Sequence, residues 1–113
     1  MTDLVKIKEN YEFRRAYSRG KALVTPYAVI YLYKNRSNNI RLGITTGKKI
    51  GKAVQRNRAK RVITAAFKEV LPNLAFGYDF VIVARVRILT VKSTVLKKAF
   101  EDVFSESNLF ESK

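Results

Sequence analysis

Lys48–Lys68 reads KKIGKAVQRNRAKRVITAAFK. Its opening, Gly47–Lys52, is a basic loop punctuated by glycine, and the spacing that follows predicts a helix from about Ala53 to Leu71, stopped by Pro72. On that helix Ala59, Val62, Ile63, Ala66, Phe67 and Val70 fall on one stripe. Asn57, Arg61, Thr64 and Lys68 lie opposite, flanked by Arg58 and Lys60. Arg56 falls near the edge of the apolar stripe, in the first turn, from which it is expected to reach outward. A helix with one oily stripe needs an apolar surface to cover, and the flanking sequence supplies strands that can provide it.

Tyr27–Tyr33 (YAVIYLY) alternates: Tyr27, Val29, Tyr31 and Tyr33 face one way, Ala28, Ile30 and Leu32 the other. After the turn residues Lys34–Asn39 (KNRSNN), Ile40–Thr46 alternates again with Ile40, Leu42 and Ile44 inward, so these two runs read as an antiparallel hairpin. Lys21–Val24 reads as a short strand before Pro26. Asp79–Ala84 (DFVIVA) is apolar throughout after its first residue, as in a strand buried on both faces. A leading helix carries Phe13, Ala16 and Tyr17 on one face, with Asn10 as its cap and Gly20 at its end; Arg14, Arg15 and Arg19 occupy the other sides. A last helix, capped by Thr90 or Ser93, carries Leu96, Ala99, Phe100, Val103 and Phe104. The expected class is α+β: one domain over 1–113, a mixed sheet of about four strands with helices packed on it.

Charge narrows the function. The chain has 113 residues, a net charge of +14 and 47% apolar residues, so it can build a core and is not a disordered basic tail. No acid occurs between Phe13 and Lys68, where fifteen Lys and Arg fall; seven of these lie in Lys48–Arg61. The nine acids are Asp3, Glu9, Glu12, Glu69, Asp79, Glu101, Asp102, Glu106 and Glu111. A half-chain of one sign repels itself unless a polyanion neutralises it, and nucleic acid is the polyanion it fits best.

The chemistry-bearing patterns fail. Gly43–Lys49 has three residues between its glycines and Lys after its Lys, so it is no phosphate-binding Walker loop. The same run imitates a nucleophile elbow with Thr45 as nucleophile, but the chain has no His to complete a triad. Cysteine is absent too, which removes thiolate metal sites and fits a reducing cytoplasm. The acids are scattered; Asp79, at a strand start, reads as a turn or cap residue. Met1–Lys8 has no apolar core of a signal peptide, and no apolar run approaches a membrane span. We therefore expect no catalytic residue, no metal ligand, no membrane and no small-molecule substrate in the polypeptide.

Two features hold. Lys and Arg in Lys48–Arg61 can neutralise phosphates, and a solvated helix face would carry opposite charges at i,i+4, which this one lacks. Tyr27, Tyr31 and Tyr33, with Phe13 and Tyr17 on the first helix, could stack single-stranded bases or simply be core beneath that helix; the residues leave both readings open.

Lys48–Lys68 also resembles the signature of the bacterial ribonuclease P protein subunit: a lysine pair, Gly, Ala-Val, then Arg-Asn-Arg followed by Lys-Arg. Phe13 and Tyr17 on a leading helix, Gly20-Lys21, the Tyr31 strand, Leu42-Gly43 and DFVIVAR (Asp79–Arg85) follow in family order and spacing. The resemblance implies a small αβββαβα sandwich with a left-handed crossover carrying the basic helix. It implies a large catalytic RNA as partner, whose bound Mg²⁺ cuts the 5′ leader from precursor tRNA in the bacterial cytoplasm, the protein alone being inactive. Lys48, Lys49, Lys52, Arg56, Asn57, Arg58, Lys60 and Arg61 would face the RNA subunit, and Phe13, Tyr17 and Tyr31 would hold the leader. Relatives often have Ser in place of Gly47 and Arg in place of Thr64, so neither joins the site, and their basic N-terminal tail is nearly absent here.

The main rival is a ribosomal-type protein that neutralises rRNA. A protein-only nuclease lacks His and converging carboxylates, and a membrane-surface protein would need an exposed apolar helix face. Self-repulsion makes a direct prediction: sulfate, phosphate or RNA raises the melting temperature of the free protein, and identical melting curves with and without them would remove the polyanion argument.

Overall fold

The computed structural model describes residues 4–110. Strands are β1 (Leu4–Lys6), β2 (Lys21–Val24), β3 (Ala28–Lys34), β4 (Ile40–Thr45) and β5 (Tyr78–Ala84); helices are α1 (Asn10–Arg19), α2 (Ala53–Val70) and α3 (Ser93–Glu106). The strands form one mixed sheet in the order β1-β4-β5-β3-β2. The class is α+β as expected, with five strands rather than about four. The added strand, β1, is three residues long, too short for alternation to reveal, and it pairs in parallel with β4 at the edge.

The expected hairpin between β3 and β4 does not form. β5 lies between them, antiparallel to β3 and parallel to β4. Burial explains the choice: Phe80, Val81 and Ile82 are completely buried, and only the centre of a sheet covered on both faces removes consecutive side chains from water. β4, α2 and β5 thus form a crossover between adjacent parallel strands.

One face of the sheet carries Ala28, Ile30, Leu32, Ile40, Leu42, Phe80 and Ile82 into the larger core. There the apolar stripe of α2 (Ala59, Ile63, Ala66, Phe67, Val70) and that of α3 (Leu96, Phe100, Phe104) cover them. Phe80 packs edge-on against Phe67 at 5.2 Å and Phe104 at 5.4 Å between ring centroids, tying both helices to the central strand. Each fully buried ring contributes roughly 1.5–3 kcal/mol by burial, so this cluster is a main anchor of both helices. α2 ends at Val70, one residue before the expected Leu71, which opens a 3₁₀ turn through Pro72. Capping differs from expectation: Asn10 and Ser93 are the first helical residues, and Glu9 and Lys92 hold the cap positions without side-chain cap bonds.

The opposite face is read from strand register as three rows. Arg41, Asp79 and Tyr33 form the first; Gly43, Val81, Tyr31 and Ala22 the second; Thr45, Val83, Val29 and Val24 the third. α1 lies over the first two, with Ala16 buried against Val81 beside Phe13, Tyr31 and Tyr33. A Cβ on Gly43 would sit 2.7 Å from the Phe13 ring, so the missing side chain is what seats that ring. The third row stays more open, and Val24 is 61% exposed.

Ion pairs fix α1 in place. Asp79, completely buried, accepts from Asn35 Nδ2 at 2.8 Å and Arg15 Nη2 at 3.4 Å, with Arg41 Nε 3.6 Å away. Glu12, also buried, accepts from Arg41 Nη2 and pairs with Arg15 at 3.7 Å. Asp79 is therefore neither a turn nor a cap residue. It lies within β5, and its charge is balanced by the first helix and the neighbouring strand. The hydrogen bond from Arg41 holds the Glu12 carboxyl below its ordinary value, against the opposing effect of burial. Burial works against the Arg41 charge, but Glu12 and Asp79 outweigh it and raise its pKa.

Because Glu12 titrates lower folded than unfolded, its stabilisation is present above its unfolded pKa of roughly 4.3 and lost as pH falls through the lower folded value. Melting temperatures from pH 6 to pH 3 should fall more steeply in the wild type than in Glu12→Gln, which starts lower at neutral pH; parallel curves would take Glu12 out of the network. Gly43→Ala should cost about 1–3 kcal/mol in denaturant titrations, since the new methyl must displace the Phe13 ring.

Candidate nucleic-acid interface

β4 ends at Thr45, in the open third row, and the basic loop leaves from there. Ile50 is buried and anchors a 3₁₀ turn, Lys48–Ile50, that leaves Lys48 and Lys49 exposed. Gly51 has φ 137°, and a Cβ there would collide with Gln55 Oε1. That Oε1 accepts from the Lys52 N–H at 2.8 Å, closing the first turn of α2. The turn requires glycine both for backbone conformation and for space.

Lys52, just before α2, and Asn57, Arg58, Lys60 and Arg61 along it are exposed, and none of the four cations pairs with a carboxylate among the described residues. Arg56 departs from expectation. It is half-buried, and its Nη1 donates to the Gly51 carbonyl at 2.7 Å, so it braces the loop that presents Lys48 and Lys49. Arg58 and Arg61 share an open cavity of about 400 Å³ with Lys92, at the start of α3. Lys60, Arg61 and Lys68 line another of about 380 Å³. Lys92 escaped sequence reasoning because its approach to α2 depends on the 3₁₀ segment Val86–Thr90, which no periodicity announces. β5 runs parallel to β4, so Arg85 and Arg87 emerge at the same sheet edge as the basic loop. Arg85 Nη1 donates to the Thr25 carbonyl at 3.2 Å, and the Arg87 guanidinium lies 5.8 Å from the Tyr27 ring centre.

The aromatic face divides three ways. Tyr27 precedes β3 and packs against the larger core, because Thr25 Oγ1 bonds the Ala28 backbone and starts the strand one residue later. Tyr33 lies beneath the Arg15 guanidinium at 4.8 Å. Tyr31 meets Tyr17 edge-on at 5.0 Å, and Tyr17 Oη shares a 2.9 Å hydrogen bond with Thr45 Oγ1. Phe13 and Tyr17 then wall a cavity of about 480 Å³ with Asn10, Arg14 and Thr45. Tyr17 is 38% exposed, so it retains surface on which a base could stack, while the half-buried Tyr31 sets its tilt from beneath. Arg14 brings a cation to this cavity, a role its position on the far side of an amphipathic helix did not suggest.

The described residues do not fit a metal ion: no three Asp, Glu or Cys side chains converge, and the buried Glu12 and Asp79 are engaged by arginines. No described helix is long and apolar enough to cross a membrane.

Residues 1–108 match the family model for ribonuclease P. The ribonuclease P protein component of Caldanaerobacter subterraneus subsp. tengcongensis is 39% identical over 110 residues, spanning 97% of this chain and 95% of the relative. That of Clostridium botulinum strain Langeland is 47% identical over 81 residues, 71% of this chain and 73% of the relative. Among solved structures, the Staphylococcus aureus RNase P protein superposes with a TM-score of 0.81 at 30% identity, covering 94% of this chain and 97% of the other. The Thermotoga maritima RNase P protein gives 0.79 at 25% identity, covering 89% and 96%. With model, relatives and structures agreeing over nearly the whole length, the chain belongs to the bacterial ribonuclease P protein component family.

Proposed function

We propose that the chain is the RNA-binding subunit of a ribonucleoprotein that removes 5′ leaders from precursor tRNA in the bacterial cytoplasm. The observation that carries this reading is a row of mostly exposed cations, from Lys48 to Arg61, without carboxylate partners among the described residues, adjoining an aromatic-walled cavity in a chain of this family. Lys48, Lys49, Lys52, Asn57, Arg58, Lys60 and Arg61 bind the backbone of the catalytic RNA, and Arg56 holds the loop in shape while contributing charge. Phe13 and Tyr17 stack the unpaired leader, each ring worth about 1–3 kcal/mol, and Tyr31 keeps Tyr17 edge-on to it.

The reactive centre, with its Mg²⁺, belongs to the RNA in this reading, which fits a chain without His whose described residues bring no three carboxylates together for a metal. The protein's work is electrostatic and positional. It neutralises phosphates that would otherwise repel one another where substrate and catalytic RNA meet, and it holds the leader in one path.

The test adds purified protein to the cognate RNA at low Mg²⁺ and follows precursor-tRNA cleavage. The protein alone should be inert and the mixture active; RNA-alone kinetics unchanged by the protein would refute the proposal. Arg61→Ala should weaken assembly and reduce the salt slope by roughly 0.7–0.9 for a lost phosphate contact. Tyr31→Ala should reduce the gain from a long leader and leave leaderless tRNA unaffected; equal losses on both would remove its leader role.

A further inference from the structure

On the flank of α1 away from Phe13 and Tyr17, a second cavity of about 450 Å³ opens over the first row of the sheet. Arg15, Arg41, Lys34 and Arg36 line it, together with Tyr33 and Asn35, and no acid lines it among the described residues. Arg15 and Arg41 direct guanidinium nitrogens inward to Glu12 and Asp79; among the described residues the buried Nε of each makes no hydrogen bond, that of Arg41 lying 3.6 Å from Asp79 as part of the ion pair. Lys34 and Arg36 are exposed at the mouth and pair with no carboxylate among the described residues. Four cations against two carboxylates leave a surplus of about two positive charges in one concavity.

This cavity has a built frame. Asn35 sits between the two mouth cations and is held at three points: its Nδ2 donates to Asp79 at 2.8 Å, its backbone N–H donates to the Gly77 carbonyl at 2.7 Å, and its Oδ1 accepts from the Ser37 N–H at 2.9 Å. Arg15 is held over the Tyr33 ring, with Tyr11 on its other side at 5.8 Å. Preorganised cations that already repel one another gain more from an anion than mobile ones do, because the cost of gathering them has been met in folding.

We propose that this cavity is a second RNA contact, taking a backbone phosphate between Lys34 and Arg36 with Arg15 and Arg41 behind. It rests on the RNA-binding reading above but lies apart from both surfaces assigned there. α1 separates it from the aromatic cavity, since Phe13, Arg14 and Tyr17 project from one flank and Tyr11 and Arg15 from the other. The basic loop leaves the sheet at the third row, four strand residues beyond Arg41, about 13 Å along β4.

The experiment uses Lys34→Gln/Arg36→Gln in the full chain, since neither side chain belongs to the Glu12–Asp79 network. Salt titrations measure binding to the catalytic RNA and, separately, to precursor tRNA with a long leader, with Arg61→Ala as reference. The double variant should melt at or above the wild-type temperature in low salt, because a repulsive pair is removed. It should lose roughly 1 to 2 units of salt slope toward one of the two RNAs, which identifies the strand that enters. Lys34→Arg/Arg36→Lys should bind as the wild type does. Unchanged affinity and slope toward both RNAs, while Arg61→Ala weakens binding, would overturn the second contact and leave the first reading intact. If Arg61→Ala is also without effect, both fall.

Discussion

The position of α1 depends on a buried ion cluster. Glu12 and Arg15 come from the helix, Arg41 from β4 and Asp79 from β5, so three elements distant in sequence are joined by charge. A buried cluster of this kind is weak evidence for net stability, because desolvation offsets much of its attraction. Its value here is registry. An uncompensated buried charge costs about 3–5 kcal/mol, so a helix rotated or shifted enough to misplace Glu12 is strongly disfavoured. Apolar contacts alone, here Ala16 on Val81 with rings on either side, would tolerate sliding.

That registry sets both faces of the proposed interface. With Glu12 and Arg15 pinned to the first row, Phe13 and Tyr17 must project over Gly43 and Thr45, so the aromatic cavity opens toward the third row. The third row is also where β4 ends and the basic loop begins. Parallel pairing of β5 with β4 brings Arg85 and Arg87 to that edge as well. Cations and exposed rings therefore meet at one end of the sheet through strand direction and helix registry, with no contact needed between the basic helix and the aromatic helix.

Much of this was legible in the sequence. The stripe of α2, the inward residues of β3 and β4, and the apolar run of β5 each announced their elements, because burial imposes periodicity. Strand order was not legible. Adjacent alternating runs joined by turn residues favour a hairpin on local grounds, and β5 displaced that pairing through a gain in burial that no local window contains. The cationic residues 48–61 were legible as a set, and Arg56 stood out at the edge of the apolar stripe, but its turn inward was not legible, since its bond to Gly51 depends on a glycine-only backbone turn. Asp79 and Arg41 were missed because their partners lie on other elements, and spacing along the chain carries no signal of such pairs.

The charge pattern acquires a structural meaning from this. Of the fifteen cations in the stretch without acids, Arg15 and Arg41 are the two that pair with carboxylates among the described residues, and both pairs are used to hold α1. The acids that neutralise them, Glu12 just before the stretch and Asp79 on β5, are buried, so they lower the field inside the sheet more than the field over the basic surface. A surface left with one sign carries a standing repulsion that an ordinary globular protein avoids by mixing charges. Under the proposed function that repulsion is released when phosphates arrive, so part of the binding free energy would come from relieving strain within the protein itself. In the RNA-binding reading, stability of the free chain and affinity for RNA are opposed: a substitution that adds an acid beside Arg58 or Arg61 would improve the first at the expense of the second.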